Sequence, residues 1–115
     1  MTTKCLLFAY GLLQPGLKPP RSLSQSWPDR VRGQLYDLGP YPVAVGLDVG
    51  SAWLEGFTLE IDADELGALD EFEDVDSGEF ARRVVTTGRG FTAWAYEYRR
   101  ALPAHQPAIK KWPLP

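Results

Sequence analysis

The sequence has little of the chemistry that most metal and nucleophile sites require. Cys5 is the only cysteine among the 115 residues, and His105 is the only histidine. A single cysteine excludes an internal disulfide and the C-x-x-C spacing of thiol-redox and zinc sites. A lone histidine in a proline-rich segment argues against a histidine metal site and against a Ser-His-Asp triad. We therefore expect no metal site.

Two further absences narrow the class of protein. The longest apolar stretch, CLLFAYGLL at residues 5–13, is too short to span a bilayer. It also lacks a small-residue cleavage site, so we expect no signal peptide and a cytoplasmic protein without membrane contact. The net charge is −3 and the pI is about 5.1, which argues mildly against a nucleic-acid partner, since phosphates require a basic surface.

What the chain does contain predicts a mostly β protein. Short apolar and aromatic runs are separated by glycine and proline. The last two strands should form a hairpin around a GRG turn, and Gly33 indicates a bulge or a close contact. We expect one helical turn in SLSQSW (residues 22–27) and no regular structure in the last dozen residues. The predicted strands cover residues 4–10, 30–38, 43–45, 51–61, 80–87 and 91–99.

One helix is predicted to begin at Asp62. Asp62 is a favourable N-cap, and Glu65, three residues later, completes an aspartate variant of the capping box. Leu66, Leu69 and Phe72 then form one apolar stripe. With mostly short strands, this predicts an α+β fold: a small antiparallel or mixed barrel, or a strongly curved sheet, with one helix packed beside it.

The acidic stretch LDEFEDVDSGEF (residues 69–80) follows this helix stripe. Glu73 comes directly after the last apolar residue of the stripe, where the chain must reverse against aromatic strands. A carboxyl group partly desolvated there would have a raised pKa and could transfer protons; a helix-end glutamate without a role is the alternative. The other acids are interpreted as solvated: Asp70, Glu71, Asp74, Asp76 and Glu79.

Other candidate features are weaker. Tyr10-Gly11 ends the first strand, and Gly11 could aim consecutive N–H groups at an anion, although an ordinary turn is the better interpretation of these residues alone. One of Arg82 and Arg83 is expected to pair with an acid and the other to face solvent. Some aromatic side chains could line a pocket: Tyr10, Tyr36, Tyr41, Trp94, Tyr96 and Tyr98.

Five segments occur in a characteristic order: FAYGLL, GQLYDLGPYPVAV, WLEGFTLEID, LDEFE…GEFARRVV and AWAYEY. Taken together they resemble the gamma-glutamylcyclotransferase-like, or AIG2-like, family, and the resemblance spans roughly Leu6 to Tyr98. Their order and spacing are most similar to the short bacterial members and to the gamma-glutamylamine cyclotransferases. The resemblance implies a small mixed barrel with flanking helices, here a domain over residues 1–100 followed by a proline-rich tail over residues 101–115.

The resemblance also implies site residues. The family's catalytic glutamate closes a Leu-Asp-x-x-Glu stretch, which is Leu69 to Glu73 here. Leu12 stands where the family usually has serine or threonine, and Phe80 stands where it usually has tyrosine. We therefore predict Glu73 as the catalytic residue and the following as substrate-binding residues: Tyr10, Gly11, Leu12, Leu13, Tyr41, Arg82 and Tyr96.

The implied reaction converts a γ-glutamyl group to 5-oxoproline and releases an amine or amino acid, with one glutamate as general acid and base. It requires neither a metal nor an organic cofactor, and we expect a monomer that acts on a small γ-glutamyl substrate. Two alternatives stay open. A non-catalytic protein could bind a small carboxylate on the same barrel, or the tail LPAHQPAIKKWPLP could serve protein interaction.

Overall fold

The computed structural model describes residues 3–113, and within them eight strands and one α-helix alternate with short loops. None of the helices in this range is long and apolar enough to cross a membrane. The elements are β1 (Lys4–Ala9), β2 (Gln25–Arg32), β3 (Gln34–Asp37), β4 (Pro42–Val45), β5 (Trp53–Asp62), a 3₁₀ turn (Ala63–Glu65), α1 (Leu66–Phe72), β6 (Phe80–Thr86), β7 (Thr92–Tyr98) and β8 (Ala108–Ile109).

The strands form two sheets. The larger has the order β2-β5-β1-β7-β6, in which β1 and β7 are parallel and the other neighbours are antiparallel. The smaller has the order β4-β3-β8 and is antiparallel. The α+β class and the mixed strand directions are confirmed. The strands belong to two sheets rather than to one closed barrel.

The central strand β1 is buried on both faces. Leu7 and Phe8 are adjacent and almost fully buried, and neighbouring side chains of a strand point to opposite faces. Phe8 packs in a cluster with Leu35 of the small sheet, whereas Leu7 packs in a second cluster with Leu69 of α1. The chain therefore leaves β1 between two packed layers. This starting point fixes the position of the loop that begins at Tyr10.

Gly33 divides the strand that we predicted over residues 30–38. Its φ is 146°, a conformation that side-chain-bearing residues rarely adopt. A Cβ atom there would lie 3.2 Å from both the carbonyl oxygen of Val45 and Cδ2 of Leu47. The predicted close contact is confirmed, and it separates β2 from β3, which belong to different sheets.

Two local predictions near the helix are wrong. Residues 25–27 of SLSQSW lie in β2, where pairing with β5 replaces the expected helical turn. The predicted capping box does not form, and Asp62 makes no side-chain capping hydrogen bond. The Glu65 carboxylate instead accepts hydrogen bonds from the backbone N–H groups of Arg21 and Ser22. The first turn is 3₁₀, and α1 begins at Leu66.

The helix stripe is only partly correct. Leu69 is buried, but Phe72 is 49% exposed. Because α1 ends at Phe72, no further turn of the helix continues the stripe against the sheet. The aromatic ring of Phe72 is therefore free to line a neighbouring cavity.

The tail is more ordered than we predicted. Ala108–Ile109 forms β8 and pairs with β3, and Trp112 is buried. The indole Nε1 of Trp112 donates to Asp37 Oδ1 at 3.1 Å, and its carbonyl oxygen accepts from Gln14 Nε2 at 2.8 Å. These bonds attach the tail to the small sheet and to the loop after β1. Residues 114–115 lie outside the described range.

Two glycine substitutions test the packing of β5 on β1. A Cβ on Gly56 would lie 2.2 Å from the Ala9 carbonyl oxygen, whereas a Cβ on Gly67, exposed in α1, has no neighbour within 4 Å. We expect Gly56→Ala to lower the free energy of unfolding by at least about 2 kcal/mol. Gly67→Ala should raise it by about 0.5–1 kcal/mol. Urea denaturation measures both; equal effects would contradict this packing.

Candidate active site

A cavity of about 290 Å³ opens where the end of β1, the end of α1 and the β6–β7 hairpin meet. Its volume suits a small ligand. Apolar and aromatic side chains form most of its wall, and carboxyl groups lie at one side. The lining residues are Phe8, Ala9, Tyr10, Gly11, Leu12, Leu13, Tyr41, Pro42, Phe72, Glu73, Asp74, Glu79, Phe80 and Tyr96.

The loop after β1 forms one wall of this cavity. Tyr10 is buried, and its hydroxyl donates to the carbonyl oxygen of Tyr96 at 2.6 Å. Gly11 does not have a positive φ. Its role is a close approach, since a Cβ there would lie 2.9 Å from Cγ of Pro42. A side chain at residue 11 would therefore push the loop away from β4.

Part of the backbone of this loop is not engaged in hydrogen bonds with the described residues. The N–H of Gln14 donates to Gly11 O at 3.0 Å and closes a turn. Within residues 3–113, the N–H groups of Leu12 and Leu13 make no hydrogen bond, although both residues line the cavity. Consecutive N–H groups in a turn can bind an anion or a developing oxyanion.

Glu73 lines the same cavity as this loop and lies directly after the end of α1. The N–H of Val75 donates to Asp70 O at 3.0 Å, and the N–H of Asp74 donates to Glu71 O at 3.1 Å. This pair of bonds is the Schellman motif, and Asp74 occupies its left-handed position with a φ of 55°. The motif turns the chain sharply after Glu73, which places that side chain in the cavity wall.

The Glu73 carboxyl group is half-buried and has no hydrogen-bond partner among the described residues. Burial raises the pKa of Glu73 to about 7, and the negative charge of Glu79 adds to the shift. A carboxylate that accepts no hydrogen bond lacks the usual compensation for desolvation. Near neutral pH this group can therefore both accept and donate a proton.

The interpretation of Asp70 and Glu79 as solvated acids is wrong, because both have hydrogen-bond partners. Asp70 pairs with Arg82, with Nε–Oδ1 and Nη2–Oδ2 distances of 2.9 and 3.2 Å. It also accepts a hydrogen bond from the Tyr96 hydroxyl at 2.8 Å. Glu79 accepts one from the Tyr41 hydroxyl at 2.9 Å and lines the cavity. Both acids orient an aromatic ring of the wall.

These bonds also occupy the hydroxyl groups of the pocket tyrosines. The hydrogen bond to Glu79 raises the pKa of Tyr41. Burial raises the pKa of Tyr96, and the hydrogen bond to Asp70 adds to the shift. Burial also raises the pKa of Tyr10. All three phenols are neutral at physiological pH and donate to the protein, so they shape the wall.

The structure brings together most of the predicted site residues. Glu73 and six of the substrate-binding residues line the cavity: Tyr10, Gly11, Leu12, Leu13, Tyr41 and Tyr96. Arg82 lies outside the lining, where it pairs with Asp70 and stacks on Trp94 at 4.4 Å. Arg83 pairs with Glu97 at 2.8 Å, so both arginines form ion pairs and neither is left to solvent alone.

Sequence reasoning missed two contributors to the site, Glu79 and Gln14. Glu79 is separated from Tyr41 by 38 residues, and nothing local in the acidic stretch distinguishes it from its neighbours. Gln14 is buried, and its amide nitrogen contacts the carbonyl oxygens of Tyr10, Gly11 and Trp112. A polar residue among prolines and glycines gives no sequence signal for such a bridge.

A partly buried acid with a raised pKa in the wall of a small cavity suits acid–base chemistry on small molecules. The family model described as gamma-glutamyl cyclotransferase, AIG2-like, matches residues 7–113. The chain therefore belongs to the AIG2-like gamma-glutamyl cyclotransferase family. A comparison with curated protein sequences finds no match.

Several solved structures share the fold. YtfP from Escherichia coli is 32% identical, with 92% of each chain covered and a TM-score of 0.66. An AIG2-like protein from Mus musculus is 20% identical, with 96% of this chain and 88% of that chain covered and a TM-score of 0.73. YkqA from Bacillus subtilis is 26% identical with a TM-score of 0.66; the match covers 84% of this chain but only 36% of YkqA.

Glu79→Gln tests the electrostatic coupling in the cavity. The substitution removes one negative charge near Glu73 but keeps an oxygen that can accept from Tyr41. We expect the pKa of Glu73 to fall below its value of about 7, because the ionised form is no longer repelled. Carboxyl-carbon NMR titration measures the shift. Asp76→Asn, an exposed change outside the lining, is the control, and an unchanged pKa in Glu79→Gln would contradict the coupling.

Glu73→Gln tests the cost of burying this carboxyl group. Below the unfolded-state pKa, about 4.3, the acid is protonated in both states and the substitution should change stability little. Stability falls as pH rises from the unfolded-state pKa toward the folded-state pKa of about 7, because the unfolded chain then loses this proton while the folded protein still holds it. We expect Glu73→Gln to stabilise by up to about 3 kcal/mol at pH 8 and negligibly at pH 4. Urea denaturation at both pH values measures this; a pH-independent difference would contradict it.

Proposed function

We propose that this protein is a γ-glutamyl cyclotransferase that converts a γ-glutamyl amide to 5-oxoproline and releases the amine, with Glu73 as the proton-transferring residue. The observation that carries the proposal is the half-buried Glu73 carboxyl group, which has no hydrogen-bond partner among residues 3–113, has a pKa of about 7 and lines a cavity of ligand size. Family membership supports the reaction class.

The reaction needs little from the protein beyond placement and proton transfer. The α-amine of the γ-glutamyl group attacks the γ-carbonyl carbon of the same group, and a nitrogen–carbon bond closes a five-membered ring. The bond from that carbon to the original amide nitrogen then breaks. Because both reacting groups belong to one molecule, the cavity has only to hold the folded rotamer.

Two proton transfers have to be catalysed, and Glu73 can perform both. The α-ammonium must lose a proton before attack, and the leaving nitrogen must gain one before the bond breaks. A free α-amine has a pKa of about 8, whereas an ordinary glutamate has one of about 4.3. The raised pKa of Glu73, about 7, is close to the pKa of the α-amine. Proton transfer between the two groups is therefore nearly balanced in either direction.

The loop after β1 supplies electrostatic stabilisation in this proposal. Negative charge develops on the γ-carbonyl oxygen as the ring closes. Leu12 and Leu13 line the cavity, and their N–H groups donate to no described residue. Such donors can stabilise an oxyanion or bind the substrate's α-carboxylate. The absence of a hydroxyl at Leu12 does not affect them, because they are main-chain groups.

A second candidate function is a binding protein that retains the cavity without turnover. Leu12 and Phe80 favour it, since these lining residues carry no hydroxyl where the family usually has one. The two functions differ in product. An enzyme forms 5-oxoproline, whereas a binder shows only ligand-induced stabilisation.

Substitution of Glu73 tests the catalytic assignment. We expect Glu73→Gln to lower the rate of 5-oxoproline formation by about 10²–10⁴-fold, because glutamine cannot exchange a proton. The assay is mass spectrometry of 5-oxoproline after incubation with a panel of γ-glutamyl amides and γ-glutamyl amino acids. Glu71→Gln, on the exposed side of α1 and outside the lining, is the matched control and should keep full activity.

The outcomes separate the candidate functions. Most activity retained in a folded Glu73→Gln protein would overturn the role of Glu73. No product from wild type, together with a raised melting temperature in the presence of γ-glutamyl or carboxylate ligands, would replace the enzyme with the binding protein.

A further inference from the structure

A second cavity, of about 880 Å³, is lined by residues of β2, the start of β5, the β6–β7 turn and β8. It shares no lining residue with the cavity that Glu73 lines, here called the Glu73 cavity. Phe80 begins β6 and lines the Glu73 cavity, whereas Gly88 and Arg89, in the turn of the same hairpin, line the second cavity. The two cavities thus lie at opposite ends of the hairpin, so a ligand of the second cavity is independent of the proposed function.

Cations outnumber acids in the lining of the second cavity. Arg30, Arg89 and Lys110 are exposed, and none of them forms an ion pair within residues 3–113. Asp29 and Glu55 are the two acids of the lining. Because the whole chain has a net charge of −3, three unpaired cations around one cavity reverse the sign of the charge locally. Such a concentration of positive charge attracts anions.

Asp29 holds the two segments that carry the arginines together. Oδ1 of its buried carboxylate accepts hydrogen bonds from the backbone N–H groups of Arg30 at 2.8 Å and of Arg89 at 3.1 Å. Oδ2 accepts one from the Thr58 hydroxyl at 2.7 Å. Both oxygens are therefore engaged by the protein. They fix the hairpin turn against β2, so that both arginines border one cavity.

The side chain of Arg30 is held between two other lining residues. Its Cζ lies 4.1 Å from the centroid of the Trp53 ring. A Cβ atom on Gly88 would lie 2.8 Å from Cγ and 3.1 Å from Nε of Arg30. The guanidinium group is thus positioned by packing, yet it donates to no residue within 3–113. A fixed group with unused donors costs little conformational entropy when it binds a ligand.

Arg89 also keeps unused donors. Its Nε donates to the carbonyl oxygen of Pro28 at 2.7 Å, and its terminal nitrogens make no hydrogen bond to a described residue. The planar guanidinium group presents its N–H donors in a fork that matches the oxygens of a phosphate or a carboxylate. Two such groups beside one cavity favour a ligand with more than one negative charge.

We propose that the second cavity binds a small organic phosphate, with Arg30, Arg89 and Lys110 binding the phosphate group. A phosphate monoester carries nearly two negative charges at neutral pH, and guanidinium groups bind its oxygens in pairs. The volume of the cavity exceeds what an inorganic ion needs and suits a small organic ligand. The half-buried residues Trp53 and Ile109 supply apolar surface for the organic part.

Three probes separate the contributions of charge and apolar contact. They are 1-naphthyl phosphate, inorganic phosphate and 1-naphthol, which carry both features, the charge alone and the ring alone. We expect 1-naphthyl phosphate to bind with a Kd at least about tenfold below those of the other two. Backbone amide NMR shifts measure the binding and should change around residues 28–34, 51–55, 88–90 and 108–110. Raising the salt concentration from about 0.05 M to about 0.3 M should weaken it.

Substitutions assign the binding to named residues. The double variant Arg30→Gln with Arg89→Gln should raise the Kd of 1-naphthyl phosphate at least about tenfold. Gly88→Ala keeps every charge but displaces the Arg30 side chain, so it should raise the Kd severalfold. Arg99→Gln is the matched control, since it removes one charge from an exposed residue outside both cavities. It should leave the Kd unchanged.

The amide spectra also report whether each variant is folded, and Arg30→Gln alone carries the test if the double variant is not. Three results would overturn the inference: no shifts with any probe, shifts confined to the Glu73 cavity, or equal weakening by Arg30→Gln and Arg99→Gln. A single-stranded oligonucleotide of about ten residues is the fourth probe. If it bound through the same residues at least about tenfold more tightly than 1-naphthyl phosphate, a nucleic acid would replace the small molecule as ligand.

Discussion

The site depends on one unfavourable interaction, the burial of the Glu73 carboxyl group without a hydrogen-bond donor among residues 3–113. The fold must hold it in place against a cost in free energy. The Schellman turn with Asp74 at a φ of 55° fixes the backbone after Glu73. Leu69, one turn earlier, anchors α1 in the same core cluster as Leu7 of β1. The turn after Glu73 and the buried Leu69 one turn before it thus hold the backbone of Glu73 at the cavity wall.

The opposite wall depends on the amide of Gln14. Its nitrogen lies 3.0, 3.1 and 2.8 Å from the carbonyl oxygens of Tyr10, Gly11 and Trp112. An amide has two N–H donors, so three acceptors share them at the point where the loop and the tail meet. Trp112 in turn donates to Asp37 of the small sheet. The tail therefore helps to position the loop that carries the free main-chain N–H groups.

Residues with local signals were predictable from the sequence, and residues fixed by distant partners were not. β1, the β6–β7 hairpin and the place of Glu73 follow from apolar runs, turn residues and the end of a helix stripe. The capping box failed because Glu65 binds Arg21 and Ser22, more than 40 residues away. The exposure of Phe72 follows from where the helix ends. Gly33 divides a strand through its φ of 146°, where a side chain would collide with Leu47 and Leu54, and no local pattern reveals these distant neighbours.

The distribution of charge around Glu73 explains why a dense acidic stretch gives one tuned carboxyl group. Asp70 lies one helical turn before Glu73, close enough in sequence to repel it, yet Arg82 and the Tyr96 hydroxyl both bind its carboxylate. Burial raises the pKa of Glu73, and the charge of Glu79 adds to the shift. Pairing of Asp70 thus removes one charge from the local field, and Tyr41 holds Glu79 where it still acts. The acids of this stretch have separate roles because each has a different partner: an arginine and a tyrosine for Asp70, a tyrosine for Glu79, and no hydrogen-bond donor for Glu73 within the described chain.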